Sequence, residues 1–120
     1  MTKPFRLIID PPRSATLNMA IDEMLMSRGP ALRFYGWEEP SVTIGYFQKV
    51  EQVAQRFEAE KKGIPVVRRL SGGGAVLHGE DLTFSLFLPT PNSFFPTDVK
   101  SSYLKINEAV RVGLKRDYPA

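Results

Sequence analysis

Apolar residues occur along this chain in short segments whose spacing predicts a mixture of strands and helices. Compact or alternating apolar runs predict strands at residues 5–9, 32–37, 41–47, 64–69 and 82–88. Apolar residues at helical spacing predict helices after residue 14, between residues 50 and 62, and from residue 98. The helices and strands alternate irregularly, and tight turns join several of the strands. This pattern favours an α+β fold, with helices packed on a mixed, mostly antiparallel sheet.

The first helix carries signals at both ends. Ser14 or Thr16 can cap its N-terminus, and Gly29-Pro30 ends it. Four apolar residues on one face are expected to be buried: Leu17, Ile21, Met24 and Leu25. The polar residues between them fall mostly off this face and are expected to be solvated or to act as caps rather than as catalysts: Asn18, Asp22 and Glu23.

Two aromatic residues at the ends of predicted strands leave two interpretations open. Trp37 ends the strand 32–37, and Phe47 ends the strand 41–47, which we expect to pair antiparallel with the first. Each ring could belong to the core or could wall an apolar slot. Gly45 lies within the second strand, where a glycine indicates a bulge or the close approach of a ligand.

Further along, a segment rich in Pro, Asn and Ser predicts a loop at residues 89–96.

The most unusual stretch contains three consecutive glycines. A predicted strand ends in Arg68-Arg69, Ser71-Gly72-Gly73-Gly74 follows, and Ala75 begins an apolar run that ends at His78, the only histidine. Glycine loses more backbone entropy on ordering than any other residue, so three together indicate a sharp turn or a close approach. The N–H groups of such a turn can bind an anion, and a neighbouring guanidinium can hold phosphate or carboxylate with two hydrogen bonds. The stretch therefore predicts a site for a ligand that carries a phosphate or carboxylate group.

The spacing of residues in the glycine stretch leaves one simpler interpretation open and excludes three known motifs. It could be only a hairpin turn with solvated arginines. It is not a P-loop, because no Gly-Lys-Ser/Thr follows, and it lacks the Gly-x-Gly-x-x-Gly spacing of a dinucleotide-binding turn. Ser71 is not in a nucleophile elbow, since Arg69 stands where that motif needs glycine. Spacing alone therefore indicates anion binding and no particular reaction.

Composition narrows the classes of function. The 120 residues fit one domain with a real core, and 16 basic against 13 acidic residues give a net charge of +3. The charges are mixed along the chain, so we expect no nucleic-acid binding. The absence of cysteine and the single histidine disfavour a zinc site. No apolar run approaches the roughly 20 residues that span a bilayer and no signal peptide is recognisable, so the cytoplasm is the expected location.

Four motifs, in order across most of the chain, resemble one known family. The stretch Arg68-Arg69-x-Ser71-Gly72-Gly73-Gly74-Ala75-Val76-x-His78 resembles the signature of the lipoate–protein ligase A and octanoyltransferase family. Three further stretches are similar to that family's first helix and its second and third strands: 18–23, 34–37 and 44–48. The resemblance implies the fold of a biotin/lipoate protein ligase catalytic domain.

The resemblance also implies an activity. Members attach lipoate or octanoate to a lysine on a lipoyl carrier domain of 2-oxoacid dehydrogenases or on the glycine cleavage H protein. Ligase members use ATP and Mg²⁺ to form an acyl-adenylate, whereas thioester-using octanoyltransferases take the acyl group from acyl carrier protein. The third glycine is more typical of the ligases, while residues 34–37 and 45–48 are closer to the octanoyltransferases. ATP-dependent attachment of lipoate is the expectation; octanoyl transfer and a non-catalytic module that binds a lipoyl domain are the alternatives.

The resemblance assigns roles to individual residues. Arg69 would hold phosphate or the acyl carboxylate, residues 71–74 would lie along the acyl-adenylate, and His78 would lie at the edge of the site. Trp37 would help to wall the acyl pocket. The complete set expected to bind the acyl group or adenylate is Arg69, Ser71, Gly72, Gly73, Gly74, Ala75, His78, Trp37 and Phe47.

This chain differs from the members of the family in its length. The family's catalytic domain is substantially longer than 120 residues, and its active-site lysine lies beyond the part that this chain resembles. The cysteine of the thioester-using members also lies further along. We therefore expect residues 1–120 to be the N-terminal portion of such a domain with an incomplete sheet. Action with a separate partner chain, or inactivity alone, are the alternatives.

Overall fold

The computed structural model describes residues 4–89 and 98–119, which fall into two compact units that divide after Phe87. The elements of the first unit are, in chain order, β1 (Arg6–Ile9), α1 (Ala15–Met26), β2 (Ala31–Tyr35), β3 (Ser41–Ile44), α2 (Val50–Arg56), α3 (Ala59–Lys62), β4 (Val66–Arg68), β5 (Val76–His78) and β6 (Thr83–Phe87). The second unit contains α4 (Val99–Asp117), whose N-terminus is capped by Asp98. The loop predicted at 89–96 lies outside the described residues except for Pro89. Within the described ranges, no helix combines the length and the apolar character needed to cross a membrane.

Two small mixed sheets form the frame of the first unit. One has the strand order β1-β2-β6, in which β1 is parallel and β6 antiparallel to β2. The other has the order β4-β3-β5, in which β4 is parallel and β5 antiparallel to β3. The predicted α+β class with mixed sheets is confirmed. Of the four strand pairings in the described residues, two are parallel and two are antiparallel.

The predicted pairing of the strands 32–37 and 41–47 is wrong. After β2 ends, Trp37 forms an isolated bridge with Arg13, and the N–H of Glu38 donates to the Arg13 carbonyl at 3.0 Å. The chain therefore leaves the first sheet before β3 begins, and β3 becomes the central strand of the second sheet.

The predicted ends of the helices are largely confirmed. The Ser14 side chain caps α1 by accepting from the N–H of Leu17 at 3.2 Å. Gly63 ends α3 in the left-handed conformation, with φ of 66°, as its position after two lysines indicates. The single helix predicted between residues 50 and 62 is divided, because Glu58 itself is left-handed with φ of 51°.

The core consists of two apolar clusters. The first contains Ala15, Tyr35 and Trp37, with Met19 and Val67 packed against them. The second contains the buried residues Val42, Ile44 and Val53, and the partly buried residues Phe57, Ile64, Val66 and Ala75. The second sheet therefore has β3 at its centre, and the glycine stretch lies between two of its strands.

A buried ionic network joins α1 to the first sheet. Arg33 on β2 is fully buried, and its guanidinium donates to the carboxylates of Asp10 and Asp22, each at 2.8 Å. It also donates to the side-chain oxygen of Asn18 at 2.9 Å and to that residue's carbonyl at 3.1 Å. The guanidinium lies over the Tyr35 ring, and burial raises the pKa of this phenol to about 12. Each buried charge thus has the partners that it needs to be tolerated.

The expectation that Asn18 and Asp22 are solvated is wrong, although Glu23 is exposed. Residues 18 and 22 are one helical turn apart, so both face β2, where Arg33 requires them. The Asn18 amide also donates to the carbonyls of Arg13 and Gly36, at 3.2 and 2.9 Å. Of the predicted apolar face, Leu25 is buried and Ile21 partly so, whereas two members are exposed: Leu17 and Met24.

Replacement of Asn18 by alanine tests this network. Asn18→Ala removes two donated hydrogen bonds and leaves an N–H of Arg33 without its partner, so the free energy of unfolding should fall by roughly 2–4 kcal/mol. Urea denaturation measures this change. Glu23→Ala, on the exposed side of the same helix, is the control and should change stability by less than about 0.5 kcal/mol. Equal effects of the two substitutions would contradict the structural role of Asn18.

Candidate functional site

The glycine loop, residues 70–75, is seated on the C-terminal end of β3. The N–H of Arg69 donates to the carbonyl of Ile44 at 2.9 Å, which extends the pairing of β4 with β3. Two residues later, the N–H of Tyr46 donates to the carbonyl of Ser71, also at 2.9 Å. The loop is thus attached to the sheet at its beginning and is not an independent hairpin in solvent.

Gly45 allows the loop to lie this close to β3. A Cβ atom at residue 45 would collide with the carbonyl group of Gly73, which is backbone and cannot rotate away. The sequence indicated a bulge or the close approach of a ligand at this glycine, whereas the group that approaches in the structure is the backbone of the loop. Gly73 has φ of 94°, a conformation that side-chain-bearing residues rarely adopt.

Arg69 holds the loop from the other side. Its Nη2 group donates to the carbonyls of Gly72 at 2.9 Å and Gly74 at 2.7 Å, and its Nη1 group donates to Thr43 Oγ1 at 2.8 Å. Hydrogen bonds from a charged donor to carbonyls are among the stronger kinds in proteins. Arg69 therefore fixes the conformation of the glycine loop.

The four carbonyl groups of residues 71–74 all face the protein: Ser71 toward Tyr46, Gly73 toward Gly45, and the other two toward Arg69. Because a trans peptide group is planar, the N–H that follows each carbonyl points the opposite way. Among the described residues, no hydrogen bond engages the N–H groups of Gly72, Gly73 or Gly74. The loop is exposed, so it presents consecutive N–H donors outward, an arrangement that binds anions.

His78 lies beneath the loop in a buried polar cluster. Its Nε2 atom is 2.9 Å from Thr43 Oγ1, and its Nδ1 atom is 2.9 Å from Asp81 Oδ2. Thr43 accepts a hydrogen bond from Arg69, so its single hydroxyl proton is available to His78 Nε2. In the neutral imidazole this arrangement places the proton on Nδ1, which donates to Asp81.

Trp37 packs against this cluster from the core. Its ring stacks on His78 with centroids 4.1 Å apart and planes 18° from parallel, and its Nε1 donates to Thr83 Oγ1 at 2.9 Å. Only 6% of the residue is exposed. In the described structure Trp37 is a core residue that supports His78, and its contact with an acyl chain stays a prediction.

Phe47 lies on the turn after β3, beside the loop. The residue is 87% exposed and makes an edge contact with Tyr46. The turn is held by Arg68, whose Nη1 group donates to the carbonyls of Tyr46 and Gln48, both at 2.7 Å. Exposed apolar residues thus lie at the start of the glycine loop, at Leu70, and next to it, at Tyr46, Phe47 and Val76.

Most of the predicted site residues come together in the structure. The loop residues, Arg69 and His78 form one connected group, Phe47 lies beside it, and Ala75 packs toward the core of the second sheet. Sequence reasoning missed Thr43, Asp81 and the contacts of Arg68. The signal for Thr43 was its place as a polar residue on the apolar strand 41–47. The signal for Asp81 was its place three residues after the only histidine.

The structure gives no support for a metal centre in the part of the chain that it describes. No three His, Cys, Asp or Glu side chains in residues 4–89 and 98–119 converge to hold an ion. The donor groups at the loop are N–H groups and guanidinium, which suit anions. The Mg²⁺ ion expected for a ligase finds no fitting set of ligands among these described residues.

Comparison with known proteins identifies the family. The family model for the lipoyl protein ligase A/B catalytic domain matches residues 14–118. The chain belongs to this family. Octanoyltransferase LipM of Exiguobacterium sibiricum is 40% identical over 119 residues, which are 94% of this chain and 43% of that protein.

Two solved structures share the fold. A bi-partite lipoate protein ligase studied with its E2 lipoyl domain, from Thermoplasma acidophilum, has a TM-score of 0.72 and 33% identity, over 96% of this chain and 45% of that one. Lipoate-protein ligase A bound with ATP has a TM-score of 0.69 and 33% identity, over 95% of this chain and 48% of that one. The chain thus spans a little under half the length of the proteins that it resembles.

Substitution of Gly45 tests the seat of the loop. Gly45→Ala should displace the loop and reduce the free energy of unfolding by about 3 kcal/mol, because the new methyl group meets backbone. Gly36→Ala is the matched control, since a Cβ there meets only the Pro12 side chain at an ordinary 3.6 Å. Urea denaturation and hydrogen exchange at the Tyr46 amide distinguish the two variants. If the hydrogen bond from the Tyr46 N–H to the Ser71 carbonyl remains intact in Gly45→Ala, the position of the loop does not depend on the missing side chain at residue 45.

The Asp81 carboxylate predicts an acid-dependent contribution to stability. Burial raises its pKa, but hydrogen bonds from His78, the Gly79 N–H and Thr83 outweigh this effect and lower the pKa from 3.8 to about 2. A lowered folded-state pKa stabilises the protein above the unfolded-state pKa, and this contribution is lost as pH falls toward 2.

The stability difference between the wild type and Asp81→Asn should therefore be largest above pH 5 and should shrink between about pH 4 and 2. Urea denaturation at several pH values measures it, and Glu80→Gln, at an exposed neighbour, should show no such trend. A difference for Asp81→Asn that does not vary with pH would rule out the ionic role of this carboxylate.

Proposed function

We propose that this chain carries the acyl-donor site of an enzyme that attaches a lipoyl or octanoyl group to a lysine of a lipoyl carrier domain. The observation that carries the proposal is the set of outward N–H groups at residues 72–74, held by Arg69. A Cβ at Gly72 or Gly74 would meet nothing within 4 Å, and neither residue has positive φ. Nothing among residues 4–89 and 98–119 therefore requires glycine at these two positions, whereas a ligand that approaches the backbone would require it.

The geometry suits acyl transfer to an amine. The lysine nitrogen attacks the acyl carbonyl, a C–N bond forms, and the bond to the leaving thiol or AMP breaks while the nitrogen loses a proton. Negative charge develops on oxygen atoms during this reaction, and fixed N–H donors stabilise such charge. The exposed apolar side chains beside the loop, including Phe47, offer a surface for an eight-carbon chain.

The identity of the donor is a finer part of the proposal. Relatives named octanoyltransferase LipM, which are 33% to 43% identical to this chain, support an octanoyl thioester as the first candidate. Lipoate activated by ATP is the second candidate, which the ATP-bound neighbour and the third glycine support. A lipoyl domain as acceptor is supported by the bi-partite ligase that was studied with its E2 lipoyl domain. Acyl carrier protein as donor partner, the glycine cleavage H protein as acceptor and a cytoplasmic location stay predictions.

Mass spectrometry of a purified lipoyl domain distinguishes the candidates. The protein is incubated with this domain and either octanoyl-acyl carrier protein or lipoate, ATP and Mg²⁺. An octanoyl group on the acceptor lysine in the first mixture supports the first candidate, and a lipoyl group in the second mixture supports the other. Binding of the lipoyl domain without modification in either mixture would favour a non-catalytic module.

Donor binding should depend on Arg69. Arg69→Ala releases the carbonyls of Gly72 and Gly74, so the increase in Tm that a non-hydrolysable lipoyl-adenylate analogue or octanoyl-pantetheine gives the wild type should be lost. Arg28→Ala removes an exposed arginine elsewhere in the same unit and should preserve the increase. The same increase in both variants would contradict binding at the glycine loop.

A further inference from the structure

A line of polar groups runs beneath the glycine loop, and its two central members, Thr43 and His78, are buried. We infer that Thr43, supported by His78 and Asp81, is a positioning residue that orients Arg69 and thereby the N–H groups of the glycine loop. The identity of the ligand that the loop binds rests on the proposed function. The positioning of Arg69 by Thr43 is independent of that function.

The groups form one continuous line of contacts. Asp81 is 2.9 Å from His78, His78 is 2.9 Å from Thr43, Thr43 is 2.8 Å from Arg69, and Arg69 reaches the carbonyls of the loop. Thr43 is fully buried and His78 is 7% exposed. A buried polar atom is costly without a partner, so the two buried members, Thr43 and His78, are constrained by their neighbours in the line.

The far end of the line is anchored independently of the loop. The Asp81 carboxylate also accepts from the Gly79 N–H at 2.8 Å and from the Thr83 hydroxyl at 2.9 Å. The stacked Trp37 ring restricts the plane of the His78 imidazole. Because the anchor lies beside β6 and the core, the position of Arg69 is defined by the interior of the protein.

The line ends on the groups that set the direction of the donors. Arg69 binds the carbonyls of Gly72 and Gly74, and the planar peptide group that follows Gly72 then points its N–H outward. Loss of the Thr43 hydroxyl removes the acceptor of the Arg69 Nη1 group and so one of the contacts that fix the orientation of the guanidinium. The N–H groups of the loop should then lose their common direction.

Three variants separate positioning from packing. Thr43→Val keeps the shape of the side chain and removes the hydroxyl, and Thr43→Ser keeps the hydroxyl and removes a methyl group. Ser41→Ala is the matched control, because Ser41 is equally buried on the same strand and donates one hydrogen bond, to the Glu39 carbonyl at 2.9 Å. Arg69→Lys is a fourth variant, which tests the line if Thr43→Val does not fold.

The first measurement is the NMR spectrum of the protein labelled with ¹⁵N-glycine. Thr43→Val should move or broaden the amide signals of Gly72, Gly73 and Gly74, while Thr43→Ser and Ser41→Ala should leave them near their wild-type positions. Arg69→Lys should disturb the same three signals. Unchanged signals of the three loop glycines in Thr43→Val would overturn the inference. If Thr43→Val does not fold, unchanged signals in Arg69→Lys would overturn it instead. Both outcomes count whether or not the protein binds a donor.

The second measurement is the Kd for a non-hydrolysable lipoyl-adenylate analogue and for octanoyl-pantetheine. Thr43→Val should weaken donor binding by about tenfold, the effect of losing one hydrogen bond to a charged group, and Thr43→Ser should restore it. Equal losses in Thr43→Val and Ser41→Ala would show a general effect of packing and overturn the inference. A wild type that binds neither donor overturns the proposed function alone, and the glycine signals then decide the positioning role.

Discussion

The contact between the glycine loop and the end of β3 is the constraint on which the rest of the site depends. Two main-chain hydrogen bonds attach the loop to the strand, and the missing side chain at Gly45 lets the two backbones meet. Arg69 then binds two of the inward carbonyls. A loop of three glycines would otherwise be the most easily disordered part of the chain, because each glycine has the largest backbone entropy to lose. These contacts convert it into a fixed row of donors.

Two buried polar networks give this small unit its specific structure. The network around Arg33 joins α1 to the first sheet, and the network around His78 supports the second. Trp37 links the two sheets, because its ring stacks on His78 of β5 while its N–H binds Thr83 of β6. Each network contains several hydrogen bonds that are all satisfied together, which is the condition for buried charge to be tolerated. The position of the site is therefore determined by polar contacts as much as by apolar packing.

The sequence predicted the elements and the composition of the site better than their assembly. Strand and helix patterns, the cap at Ser14 and the left-handed Gly63 follow from local chemistry, which is readable from neighbouring residues. The partners of Asn18 and Asp22 were missed because a buried arginine on β2 reverses the usual preference of polar residues for solvent. The interior position of Trp37 and the roles of Thr43 and Asp81 depend on contacts between distant segments, which periodicity does not report. The family resemblance supplied the expected binding set, and the structure adds how Arg69 holds that set together.

The most direct measurement is a crystal structure of the protein with octanoyl-pantetheine or with a non-hydrolysable lipoyl-adenylate analogue. We predict that the acyl carbonyl oxygen of the thioester, or the acyl-phosphate group of the adenylate, lies within hydrogen-bond distance of the N–H groups of Gly72, Gly73 and Gly74, with Arg69 still bound to the loop carbonyls. An analogue bound elsewhere, with these N–H groups facing solvent, would contradict the central claim that the glycine loop is the acyl-donor site.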